Sequence, residues 1–179
     1  MSVHQVPRFD PARHHRRSIR KRTHDHTSPG LYFVTFCTHD RYPRFGHLLQ
    51  EHVELNELGC IAYDHWNAIP GHYAHVALHA FTIMPDHMHG IIELLPGGRS
   101  HHRSVWDGKR PLGPVAGSLG AIIGSYRAGV SREVGRKAAR SIPRFWQRGY
   151  HDIIIQNPVM QERITRYILR HPTMLLPDR

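Results

Sequence analysis

Two apolar runs that meet at a proline constrain this chain more than any other feature. His75 to Met84 has strand composition, Pro85-Asp86 is turn chemistry, and His87 to Leu94 is a second short apolar run. The reading is two strands joined by a tight bend. Strand side chains alternate between faces, so His87, His89, Ile91 and Glu93 share one face, and Met88, Gly90, Ile92 and Leu94 the other. The second set is a core face. The first sets two imidazoles side by side, their origins roughly 6–7 Å apart. That spacing lets both nitrogens converge on one metal ion. Eighteen histidines make a His-x-His pair expected by chance, and one recurs at His24-Asp25-His26. What separates His87 and His89 from it is their setting: a strand with one buried and one wet face, and further candidate partners near the C-terminus.

A chain of 179 residues suits one domain with a real core. Residues 1–29 are polar and basic, with Arg16-Arg17 and Arg20-Lys21-Arg22, and read as a disordered arm ahead of a single domain at 30–179. Leu31 to Thr38 is β-branched and aromatic, a first strand. Leu55, Leu58, Ala62, Trp66 and Ile69 recur in steps of three and four, which predicts a helix near residues 50–69, ended by Pro70-Gly71. Gly97 to Pro114, with Trp106 in its middle, reads as a long exposed loop. Ser118 is the expected N-cap of a second helix whose stripe is Leu119, Ile122, Ile123, Tyr126 and Val130. Pro143 to Gln156 reads as a strand, with Phe145 to Ile155 as its body and a bulge at Gly149. Asn157-Pro158 opens a last helix, and Pro172 is expected to stop it. The order strand, helix, strand, strand, helix, strand, helix predicts an α+β fold: one mainly antiparallel sheet with helices on one face.

The formal charge of +10 favours a polyanionic partner, of which nucleic acid is the usual one. Arg127, Arg132, Arg136 and Lys137 make the end of the second helix basic, and with Arg148 they are the candidate DNA contacts. Cys37 and Cys60, in a predicted strand and helix, read as buried reduced thiols; two such residues form no disulfide framework and match no zinc spacing. No apolar run reaches membrane-spanning length and the N-terminus lacks a signal-peptide core. The expectation is a cytoplasmic protein with no membrane partner.

On the last helix Tyr167 and His171 stand four residues apart and so share a face. If that helix crosses the open face of the hairpin, three histidines and a tyrosine meet. A bound cation would then polarise a phosphodiester for attack by the tyrosine oxygen, which is metal-assisted nucleophilic catalysis. Tyr167 could equally be core, and Tyr150, just before the helix, is the rival nucleophile.

These stretches resemble a family. Met84-Pro85-Asp86-His87-Met88-His89 is similar to the His-hydrophobic-His signature of the HUH single-tyrosine transposases. Phe145 to Tyr150, then Tyr167-Ile168-Leu169-Arg170-His171-Pro172, resembles the C-terminal signature of their REP-associated branch, over residues 30 to 173 in all. The resemblance implies a ferredoxin-like or RRM-like fold and metal-dependent cleavage and strand transfer on single-stranded, hairpin-containing DNA. It implies Tyr167 as the nucleophile of a 5′-phosphotyrosine intermediate, with His87, His89 and His171 as ligands of Mn²⁺ or Mg²⁺. The family commonly has Asn or Gln at the position of His171 and Asn at that of Asp86, departures that bear on the metal preferred. Members differ on whether the tyrosine helix serves its own subunit or a dimer mate, so a homodimer is also within the expectation. Two other readings stand beside this one. One is a non-catalytic nucleic-acid-binding module stacking bases on Trp106, Tyr126 and Trp146. The other is a metalloenzyme in which water attacks.

Overall fold

The structure is a computed structural model that describes residues 26–49, 52–97, 114–138 and 144–174. Six strands and four helices follow in chain order: β1 Gly30–Cys37, β2 Gly46–Leu49, β3 His52–Leu55, α1 Glu57–Asn67, α2 Ile69–His72, β4 Val76–Ile83, β5 His87–Leu94, α3 Leu119–Lys137, β6 His151–Ile155 and α4 Pro158–Met174. Four strands form one sheet in the order β4-β5-β1-β6, every neighbouring pair antiparallel. β2 and β3 form a separate hairpin. The expected mixed α+β fold with an antiparallel sheet is therefore the one observed.

The sheet has two apolar faces because its inner strands alternate. Tyr32, Val34 and Phe36 of β1 and Met88, Ile92 and Leu94 of β5 point to one side. There they are covered by Ile61, Ala62 and Trp66 of α1 and by Leu119, Ile122, Tyr126 and Val130 of α3. Leu31 and Phe33 of β1 and Ile91 of β5 point to the other side and meet Ile155, Ile164 and Ile168. Thus α1 and α3 cover one face, as expected for the helices, and α4 lies across the opposite one. The register of β4 on β5 shifts between Leu78 and Phe81. That bulge keeps Val76 and Leu78 on the core side before it and Phe81 and Ile83 on the core side after it.

Gly90 is where the two layers come closest. A Cβ there would stand 2.4 Å from the ring carbon Cζ2 of Trp66, which is fully buried. Gly90→Ala should therefore lower the midpoint of urea unfolding, by on the order of 1–3 kcal/mol in stability.

Several element boundaries differ from expectation, each for a local reason. The helix predicted near residues 50–69 begins only at Glu57, because Asn56 caps it, accepting from the N–H groups of Leu58 and Gly59 at 3.0 Å each. Before the cap, His52-Val53-Glu54-Leu55 alternates as a strand against Gly46–Leu49. Pro70-Gly71 does not end the helical region but lies within the single turn of α2. The strand expected over 143–156 is confined to His151–Ile155. Phe145 and Trp146 are adjacent and both buried in the same core, which strand alternation forbids. Gly149 is accordingly not a bulge but a turn residue at φ 82°. Pro172 lies inside the last turn of α4, which runs on to Met174. The two thiols, expected to be buried, are not: Cys37 is half-buried and Cys60 is exposed on α1.

The N-terminal arm was expected to end at residue 29. Its last residues belong to the fold: His26 Nε2 pairs with Asp152 Oδ2 at 2.8 Å, and Ser28 O accepts from the Tyr32 hydroxyl at 2.8 Å. Residues 1–25 and the heart of the loop expected at 97–114, Trp106 included, lie outside the described residues. Among the described residues no helix is long and apolar enough to cross a membrane.

Candidate metal centre and nucleophile

The face of the sheet under α4 carries polar groups at one end. β5 contributes His87 and His89; β1, paired with it, sets Cys37 opposite His87 and Thr35 opposite His89. α4 follows Asn157, whose side chain accepts from the Met160 N–H at 2.8 Å. Ile164 and Ile168 then anchor it on the sheet. That anchoring brings the next positions on the same face, Tyr167 and His171, over the histidines of β5.

The three imidazoles form one cluster. His87, His89 and His171 are buried, and their ligand-type nitrogens all lie within 4.8 Å of one another. The rings are edge-on, with centroids 4.7–5.1 Å apart. His87 Nδ1–H donates to Asp86 Oδ1 at 2.6 Å, which leaves its Nε2 with a lone pair 2.9 Å from His171 Nε2. His89 Nδ1 bonds Thr35 Oγ1 at 2.7 Å, so its Nε2 is likewise the inward nitrogen. Asp86 is held in turn by Arg41, Nε to Oδ2 at 2.7 Å. His171 Nδ1 is buried without a partner.

Burial pushes all three imidazoles below their ordinary pKa. For His89 the positive partners His87, His171 and Arg41 add to burial and carry it down to about 3. For His87, burial outweighs the opposing pull of Asp86, and for His171 burial comes first and His87 second. Neutral imidazoles in mutual contact, two of them oriented through Nδ1, are the donor set a transition-metal ion takes. The residues present therefore fit a divalent ion, and this cluster could hold one.

Tyr167 stands at the rim. Its hydroxyl is 3.4 Å from His89 Nε2, its ring packs at 4.9 Å from His171 and 5.4 Å from His89, and 37 % of it is exposed. Phe33 backs the pair, stacked on His89 at 5.4 Å and edge-on to Tyr167 at 6.2 Å. Tyr167 is thus neither core nor free surface. Tyr150, the rival, is buried in the layer beneath α1 and α3, on the other side of the sheet.

The candidate DNA contacts separate. Arg148 lies beside this face, lining a cleft with Thr35, Cys37 and Arg41. Arg132, Arg136 and Lys137 belong to α3, on the opposite layer, where Arg136 pairs with Glu133 and Lys137 with Glu57. Arg127 is engaged by the fold: it donates to the carbonyls of Gln147 and Gly149 and lies 5.6 Å over the Trp146 ring. The stacking aromatics of the module reading are also engaged, since Tyr126 is 4 % and Trp146 8 % exposed.

Sequence reasoning missed Thr35, Phe33 and Arg41. Thr35 carried a signal, a hydroxyl at an alternating position otherwise held by Leu31, Phe33 and Cys37. Arg41 carried none, because its contact with Asp86 spans two loops. Thr35→Val preserves shape and removes the oxygen that orients His89. We expect it to weaken Co²⁺ binding roughly 10–100-fold in isothermal titration, with little change in thermal unfolding.

No protein-family model matches the chain. The structure superposes on that of the REP-associated tyrosine transposase bound to a REP hairpin with a TM-score of 0.59, at 16 % identity, over 88 % of this chain and 74 % of that one. The chain shares the fold of that transposase. By sequence the chain belongs to the same family as an uncharacterized protein of Haemophilus influenzae, 30 % identical over 174 residues and 96 % of each chain.

Proposed function

We propose that this protein is a transposase-type enzyme that cuts and rejoins single-stranded DNA, through a 5′-phosphotyrosine on Tyr167. The observation that carries the reading is the Tyr167 hydroxyl 3.4 Å from the inward nitrogen of His89, in a cluster of three buried neutral imidazoles. His87, His89 and His171 would hold a divalent ion, Mn²⁺ or Mg²⁺. Such an ion, when bound, supplies charge neutralisation at a phosphodiester oxygen.

The chain's own groups do the rest. Tyr167 Oη attacks phosphorus, the Oη–P bond forms and the P–O3′ bond breaks, and the phenol proton ends on the departing 3′-hydroxyl. The new ester keeps the energy of the bond it replaced, so a second 3′-hydroxyl can reverse the step onto another strand without a nucleotide cofactor. Asp86 fixes the tautomer of His87 and Thr35 the orientation of His89, so that both rings turn Nε2 inward. Hairpin DNA is the proposed substrate, in keeping with the neighbour structure bound to a REP hairpin.

A denaturing gel of single-stranded hairpin DNA, protein and Mn²⁺ tests this. A covalent protein–DNA band is expected. Free cleavage products without it would point to attack by water, and a mobility shift alone to a binding module.

A further inference from the structure

Beside the histidine cluster the surface opens into two adjoining clefts. The smaller, about 340 Å³, begins at Thr35 and Cys37. The larger, about 630 Å³, lies between the turn His39–Arg41 and the segment from Arg144 to Arg148. They share Arg41, Gln147 and Arg148, so they form one path leading away from the site.

Three features mark this path as built. Its charge is unbalanced: Asp86 is taken by Arg41 and His87, and Asp40 by His39, while Arg144 and Arg148 have no hydrogen bond or ion pair among the described residues. Its backbone is strained: Asp40, Arg41 and Arg144 have φ of 56°, 54° and 52°, and are the three non-glycine residues with positive φ among those described. All three line the larger cleft. Such conformations persist where the surroundings over-determine them and gather at ligand sites. Its large aromatics, Phe36, Trp146 and Tyr150, are no stacking platform, because all three are buried in the core and the Trp146 N–H is given to Arg127 O at 3.0 Å. Cationic side chains without a base platform recognise phosphates rather than bases.

We propose that this path binds the phosphodiester backbone of the unpaired strand flanking the cut, with Arg144 and Arg148 as its phosphate ligands. The assignment rests on the nuclease reading for its substrate, and it adds a sequence-independent track that leads the strand to Tyr167. Arg41, tied to Asp86, forms the wall between track and histidines.

The test is binding of a fluorescein-labelled oligothymidylate, followed by anisotropy against salt in the presence of EDTA, so that neither metal nor cutting is needed. The full chain is used throughout, and its basic N-terminal residues add the same background to every variant. For the Arg144→Gln, Arg148→Gln variant the slope of log affinity against log salt should fall by about 1.4, at about 0.7 per phosphate contact on a single strand. Affinity at moderate salt should fall on the order of tenfold or more, since each lost contact is a charge-assisted hydrogen bond. Arg144→Lys with Arg148→Lys should restore most of the slope, which also shows that the substitutions leave the fold intact. An unchanged slope in the Gln variant overturns the proposal. So does a slope lost instead in an Arg132→Gln, Arg136→Gln variant of α3. A wild type that binds with the expected slopes but never forms a covalent adduct sinks the nuclease reading and leaves the cleft standing.

Discussion

Tyr167→Phe should leave the protein folded and bound to hairpin DNA, yet form no covalent adduct. The expected fall is at least about a thousandfold, the order seen when a covalent nucleophile is removed. Stability should move by less than about 0.5 kcal/mol, because Tyr167 sits at the exposed rim and the 3.4 Å approach of its hydroxyl to His89 is long for a hydrogen bond. The ring, which packs on His171 and Phe33, is kept. The measurement is a denaturing gel with labelled hairpin DNA, together with a thermal melt and an anisotropy titration of each variant. The companion variant is Tyr150→Phe. Tyr150 lies on the far side of the sheet from the histidines, so its hydroxyl should be dispensable for the adduct. An adduct lost in Tyr150→Phe and kept in Tyr167→Phe would reverse the assignment.

How much of this was legible beforehand follows from what each residue's position depends on. Period and turn chemistry are local, so the hairpin around Pro85-Asp86, the facing of His87 and His89, and the shared face of Tyr167 and His171 could be read from spacing. The caps at Ser118 and Asn157 were read for the same reason, and both side chains accept from the following turn. The failures lie where a tertiary contact overrides a local pattern. Leu55 fits the helical period of α1, but Asn56 caps the helix after it and β2 pairs with the segment before it. Phe145 and Trp146 have strand composition, but the core takes both rings and Arg127 ties down the carbonyls that follow. Charge alone was the poorest guide. It counted Arg127 with Arg132 and Arg136, yet one guanidinium supports a loop and the others lie across the sheet from the histidines. It singled out neither Arg41 nor Arg144, whose placement beside the site depends on two loops meeting.

The second large effect concerns the ion. All three protein donors are imidazole nitrogens, in a pocket where burial keeps them neutral. Mg²⁺ prefers oxygen ligands and keeps its water, so this donor set suits it poorly. Imidazole suits later transition metals, and affinity should rise from Mn²⁺ towards Co²⁺ and Ni²⁺. The ion must also accept a phosphate oxygen, and Mn²⁺ takes both donors. Cleavage should therefore need less Mn²⁺ than Mg²⁺, and His171→Asn or His171→Gln, each supplying an oxygen, should narrow that gap. His87→Ala with His89→Ala removes two of the three nitrogens. Metal affinity by isothermal titration should fall on the order of 100-fold or more, and metal-dependent cleavage with it, while DNA still binds through the basic surface. Both residues are buried, so a melt must accompany the titration. The single variants His87→Gln and His89→Gln, which fill more of the space, keep the comparison open if the double variant unfolds. Full cleavage by the double variant in the presence of a chelator would remove the metal from the reaction altogether, and leave the three histidines as a purely structural cluster under α4.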